Sequence, residues 1–116
     1  MNVRIEELNE DETNFLQSWE DVYKKGIVTF WVLFYLSQDQ HDAGTLYKLI
    51  SENDTSLNEH SMYRLLRRLH DVGLLEQSRT KGRNKFYSIS DKGKNILNVF
   101  TTRNITPLSN IVRSEP

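Results

Sequence analysis

A mainly α fold carrying a small β-hairpin (α+β) is what this sequence predicts, and three observations predict it. Apolar residues recur at helical spacing in several separated stretches along the 116 residues. An amphipathic run that stops at Gly73 is followed at once by two short strand-like segments around a glycine-containing turn. Positive charge is concentrated on that run and that hairpin. Helix, turn, helix and hairpin in this order make a winged helix-turn-helix, here with an additional N-terminal helix.

The chain divides into an acidic N-terminal arm (1–11), a winged helix-turn-helix domain that includes an N-terminal dimerisation helix (12–103) and a C-terminal tail (104–116). The arm is polar, with only scattered Val3, Ile5 and Leu8, and is expected to be frayed or partner-dependent. From Glu12 onward Phe15, Trp19, Val22, Ile27, Phe30, Trp31 and Phe34 follow the three-or-four rhythm of a helical face. Either one helix runs to Ser37, or two helices meet at Lys25-Gly26, since glycine weakens a helix by roughly 1 kcal/mol without forbidding it. The stretch GIVTFWVLFYL is apolar nearly all round. Such a helix is buried on more than one side, which in so small a chain implies a partner subunit.

Asp39 to Asp42 read as a polar break, with Asp42 the N-cap of a helix from Ala43 to about Glu52. The turn formers Asn53-Asp54-Thr55-Ser56 connect it tightly to the next helix. That helix has two candidate starts, Ser56 with Glu59 as a capping box or Asn58 alone. Met62, Leu65, Leu66, Leu69 and Val72 form its inner face. His60, Arg64, Arg67 and Asp71 point away from it, flanked by Tyr63 on one side and by Ser61 and Arg68 on the other.

Leu74 to Arg79 and Lys85 to Ile89 are strands about the loop Thr80-Lys81-Gly82-Arg83-Asn84, with Leu75, Tyr87 and Ile89 inward. Ser90 caps a last helix whose Ile96, Leu97, Val99 and Phe100 form an apolar stripe, with Pro107 as its outer limit.

Net charge is only −1, but its distribution is uneven. Residues 1–59 carry −8, while residues 60–95 carry +6. A local basic patch in a neutral chain suits oriented binding of a polyanion, and the partner expected is double-stranded DNA. Asn58, His60, Ser61, Tyr63 and Arg64 are placed to reach base edges, whereas Arg67, Arg68, Arg79, Lys81, Arg83 and Lys85 are suited to phosphates. A solvated helix face and a charged hairpin that avoids edge aggregation is the plainer reading of each feature taken singly. Phe15, Trp19, Phe30, Trp31 and Phe34 are candidates for a homodimer interface or for the pocket of a small aromatic effector.

The absence of cysteine excludes disulfides and thiolate chemistry and suits a reducing, cytoplasmic setting. No secretory signal opens the chain, and its longest apolar run, Ile27 to Leu36 interrupted by Thr29, is about half the roughly 20 residues of a membrane span. His41, His60 and His70 are not spaced as metal ligands, and no catalytic motif is present, so neither metal, cofactor nor enzymatic activity is expected.

SMYRLLRRLHDVGLLE, from Ser61 to Glu76, resembles the recognition helix of PadR-like transcriptional regulators. FYSISDKGKNIL, from Phe86 to Leu97, is similar to that family's hairpin exit, and KKGIVTFWVLFYLS to its first helix. The resemblance covers Lys24 to Leu97; its specific part is Tyr63, Arg67, Arg68, Leu69 and Gly73, since the exit motif occurs in other winged-helix families such as MarR. It implies a homodimeric repressor with Tyr63 and its neighbours in the major groove and the basic hairpin as wing. Glu59 and His60 stand where the family has proline and glycine, and the family's C-terminal dimerising helix is expected here to end before Pro107, shifting dimerisation toward the helix from Glu12 to Ser37. Two further readings stay open: a plasmid or viral centromere or replication-control protein that coats repeated DNA sites, and a winged-helix module that binds another protein.

Overall fold

The structure, a computed structural model, describes residues 7–53, 57–79 and 85–113. Its elements are α1 (Glu10–Gln38), β1 (His41–Asp42), α2 (Ala43–Ser51), α3 (Glu59–Asp71), β2 (Leu75–Arg79), β3 (Lys85–Ile89), α4 (Asp91–Phe100), a π-helical turn (Thr101–Ile105) and α5 (Thr106–Arg113). The sheet is antiparallel in the order β1-β3-β2.

Gly26 does not break the first helix, and α1 is continuous over 29 residues. It begins inside the expected acidic arm. Asn9 Oδ1 accepts the Glu12 N–H at 2.8 Å while Glu12 Oε1 accepts the Asn9 N–H at 3.1 Å, a reciprocal capping box. Glu10, Asp11 and Glu12 then lie where the N-terminal end of the helix dipole favours negative charge. The acidic run is thus a helix start. The second half of α1 supplies Val28, Val32, Leu33 and Leu36 to the core.

Leu46 and Ile50 of α2, Met62, Leu66 and Leu69 of α3, and Leu74, Leu75, Tyr87 and Ile89 from the hairpin and its approach complete that core. Five residues, Val32, Leu46, Ile50, Met62 and Leu66, lose essentially all contact with solvent. Burial of each such side chain contributes about 1.5–3 kcal/mol, so the three helices are held by one shared set of contacts. Tyr47 hydroxyl donates to the Leu57 carbonyl at 3.2 Å and anchors the chain just before α3.

Of the two candidate starts of α3, Asn58 is the cap: its Oδ1 accepts the Ser61 N–H at 3.1 Å. Residues 54–56, which include the rival Ser56, lie outside the described residues. Val72 does not join the inner face and is 51% exposed, because it is already the cap residue where the chain leaves the helix. Gly73 follows with φ of +86°, a conformation that a side chain disfavours, and the Leu74 N–H turns back to the Leu69 carbonyl at 2.9 Å.

Leu75, Tyr87 and Ile89 face the core as expected. The polar break hides a third strand. His41 and Asp42 pair with Tyr87 and Phe86, but two residues carry no periodicity from which a strand could be read. Pro107 does not limit the last helix. The Thr106 N–H bonds to the Thr101 carbonyl, five residues back, and after this π-helical turn the helical path resumes as α5 through Arg113. Pro107 falls in the first turn of α5, where its missing N–H costs little.

Ser90 ties the hairpin to both of its neighbouring helices. Its hydroxyl donates to the Gly73 carbonyl at 2.6 Å and accepts the Gly93 N–H at 3.0 Å, while its own N–H bonds to the Leu74 carbonyl at 3.0 Å. Gly93 packs so closely on this junction that an added Cβ would collide with the Leu74 carbonyl oxygen and lie 2.7 Å from Ile89 Cγ1.

Gly93→Ala is therefore expected to lower stability by about 1–3 kcal/mol in urea unfolding, the range for overpacking a tight site. Asp42 supplies a second test. Its carboxylate accepts the Thr45 N–H at 2.8 Å, and bonds from the Thr45 side chain and then its backbone hold its pKa below the ordinary 3.8. A folded value below the unfolded one means that the charged cap stabilises fully above pH 3.8 and that this contribution is lost as pH falls through the folded value. Asp42→Ala should cost about 1 kcal/mol near neutrality. The gap from wild type should narrow in acid.

Candidate nucleic-acid interface

The face of α3 opposite the core is uncovered. His60, Ser61, Tyr63, Arg64, Arg67, Arg68 and Asp71 are all exposed, Tyr63 to 51%. The pattern follows from one fact of geometry: Met62, Leu66 and Leu69 repeat at three- and four-residue steps and turn inward, which leaves the intervening polar residues outside. Among the described residues, Lys94 pairs with Asp91 at 3.9 Å, and His70 Nδ1 lies 3.7 Å from Asp71 Oδ1. Neither engages an arginine of α3, so the cationic head groups of this face are not neutralised by a described neighbour.

Asn58 is a cap as well as a base-reading candidate. Its side-chain oxygen is committed to the cap, which leaves the amide NH2 as its outward donor. A bidentate grip on adenine, which needs both amide groups, would require the cap to open.

The hairpin candidates are placed unequally. Lys85 is exposed at the start of β3, and in backbone register it stands opposite Arg79 at the end of β2. Lys81 and Arg83 belong to the loop 80–84, outside the described residues.

The aromatic candidates fall into two groups. Phe15 and Trp19 are 72% and 65% exposed on the first half of α1, which carries no core residue before Val28. Phe30, Trp31 and Phe34 are half-buried in a connected cluster. Phe30 packs edge-on to Trp31 at 5.4 Å, stacks on Phe34 at 6.0 Å and meets Phe100 of α4 at 5.8 Å. Beside Phe30 and Phe100 lies an apolar recess of about 100 Å³. That is well under the roughly 300 Å³ at which small-molecule pockets begin. Ile96, Val99 and Phe100 of α4 are also 39–42% exposed, so an apolar face of the chain remains open.

Two residues that the sequence reading did not single out belong to this surface. An open groove of about 560 Å³ runs between α1 and α3, with Asn58, Ser61, Arg64 and Arg68 on one wall and Lys24 and Lys25 on the other. Val28, Leu57 and Leu65 form its floor. The sequence signal was the pair Lys24-Lys25 ahead of Gly26, but nothing in a linear reading says that α1 passes beside α3 at that point. No helix among the described residues is long and apolar enough to cross a membrane.

No protein-family model and no curated protein matches the chain. Solved structures do. A PadR-like transcriptional regulator from Bacillus cereus is similar over 78% of this chain and 96% of its own, with 26% identity and a TM-score of 0.64. A PadR family transcriptional regulator from Eggerthella lenta is similar over 90% and 96%, with 19% identity and a TM-score of 0.69. A third, from Clostridium difficile, is similar over 75% and 98%, with 21% identity and a TM-score of 0.61. The likeness extends over nearly the whole of each of those chains, and the fold of this protein is that of the PadR-like winged-helix transcription regulators.

Proposed function

We propose that this chain is a sequence-specific DNA-binding transcription regulator, a homodimeric repressor that occupies two half-sites and blocks a promoter. The observation that carries the reading is the uncovered face of α3, cationic and rich in hydrogen-bonding groups, on a helix locked from behind by the core. A helix presented in this way fits the major groove, where donor and acceptor patterns distinguish all four base pairs. His60, Ser61, Tyr63, Arg64 and the amide donor of Asn58 are the base-reading groups. Arg67, Arg68, Arg79, Lys81, Arg83 and Lys85 hold phosphates from the helix and the wing and so fix register without reading sequence.

Dimerisation rests on the open apolar surface of α1 and α4, where Phe15, Trp19 and Phe100 would leave water on association. Two-fold symmetry then sets half-site centres about 34 Å apart or at a multiple of that distance. A planar aromatic effector would need such a dimer to complete its seat, since the recess beside Phe30 in one chain is too small.

Selection from a random-sequence DNA library, with salt titrated on the winner and on bulk DNA, tests the reading. A palindromic winner at least roughly a thousandfold tighter than bulk is expected. Binding without an enriched motif would point to a coat protein on DNA, and no binding at low salt would remove DNA as partner. Arg64→Ala should relax preference at one position by about 1–3 kcal/mol. Lys81→Ala and Arg83→Ala should weaken all sequences alike and each flatten the salt slope by about 1. Asn58→Asp separates capping from recognition: stability should stay within a few tenths of a kcal/mol, because both residues cap well, while DNA binding falls. In sedimentation, Phe15→Glu with Trp19→Glu should convert a dimer into a folded monomer.

A further inference from the structure

Lys24 and Lys25 lie outside the helix-turn-helix and outside the wing, yet they share the groove between α1 and α3 with Arg64 and Arg68. The described lining of that groove holds four cationic side chains and no carboxylate. This is not the arrangement that α1 alone would favour. Glu20 and Asp21 stand four residues before Lys24 and Lys25, a spacing that lets a free helix neutralise both lysines. Neither pair closes to 4.0 Å; Asp21 instead accepts the Gln17 side-chain amide at 3.0 Å. Val28, one turn further along on the same side of the helix, is buried in the core, which fixes the rotation of α1 and so directs this side toward α3. Gathering four like charges is unfavourable until an anion occupies the space between them.

We infer that this groove holds a stretch of the DNA sugar-phosphate backbone, with Lys24 and Lys25 as phosphate contacts contributed by α1. The inference rests on the DNA-binding reading above. The form of the groove favours a polyanion over a small anion. It follows α3 from Asn58 to Arg68, roughly 15 Å at 1.5 Å per residue, which is long enough for more than one phosphate of a DNA strand. Its donors stand along two walls over an apolar floor of Val28, Leu57 and Leu65, and so are spread along the groove. A backbone lying here would run beside the base-reading face, with Arg64 at the border between the two. Lys24 and Lys25 would then hold phosphates of that strand and contribute affinity without reading sequence.

The test uses the full chain and measures the salt dependence of binding to a selected duplex and to random-sequence duplex. The variants are Lys24→Gln with Lys25→Gln, the arginine pair Lys24→Arg with Lys25→Arg, and a charge-matched control, Lys94→Gln with Arg103→Gln, which lies off the groove. Glutamine keeps helix propensity, so circular dichroism should not change. Loss of two phosphate contacts should make the slope of log Kobs against log salt shallower by about 1.8 and weaken binding at 0.1 M salt roughly ten- to hundredfold. The loss should be equal on both DNAs and leave base preference intact, and the arginine pair should restore it. Wild-type binding with an unchanged slope in the glutamine pair would overturn this inference alone, as would an equal loss in the control. Absence of wild-type binding to either DNA would overturn the DNA reading, and the inference with it.

Discussion

The knot of hydrogen bonds at Ser90 is the constraint on which the working geometry depends. One hydroxyl bridges Gly73, at the exit of α3, and Gly93, in the first turn of α4, while the Ser90 N–H holds Leu74 at the entry to β2. Ser90 is the one polar residue that is buried among those described, and such a group is tolerated because its hydrogen-bonding capacity is met. Lys92 adds a bond from its ammonium to the Val72 carbonyl at 3.0 Å, one more link between α4 and the end of α3. Three elements that separately have several ways to pack are thereby held in one arrangement. The absence of a side chain at Gly93 permits the close approach, and the positive φ of Gly73 permits the reversal of the chain.

Behind α3 the core acts as a rigid backing. Leu66 touches no solvent, and Met62 and Leu69 are nearly as buried, so the helix cannot rotate without opening the contacts with α2 and β2. On the proposed DNA-binding reading, that immobility would give an exposed arginine recognition value. A base-reading side chain discriminates only if the helix that carries it is held to within fractions of an ångström, since a mobile donor would satisfy several bases equally. The outward face can be polar and cationic because the inward face supplies the stabilisation.

Much of this was legible in residues. The inner face of α3 apart from Val72, the caps at Asp42 and Ser90, the stop at Gly73 and the inward set Leu75, Tyr87 and Ile89 all follow from period, cap chemistry and glycine. These signals are local: each depends on residues within about one turn of one another. What escaped was non-local or competitive. β1 exists because β3 offers His41 and Asp42 a partner, not because two residues favour a strand. Pro107 argued for a stop, but a π-helical turn before it shifted the hydrogen-bond frame, so the last helix ran on. At Asn58 the sequence offered both a cap and a base-reading candidate, and the structure commits the side-chain oxygen to the cap.

By itself the sequence determined which faces are apolar, which residues can cap a helix, and where positive charge gathers, because hydrophobic period, cap preference and charge are properties of the chain. Only the tertiary structure decided which helices lie side by side. Lys24 and Lys25 are some forty residues from Arg64 and Arg68 in sequence, and nothing in either segment refers to the other. Burial of Val28, together with that of Met62 and Leu66, sets the rotation of α1 against α3, and that packing turns two separate basic segments into the two walls of one groove.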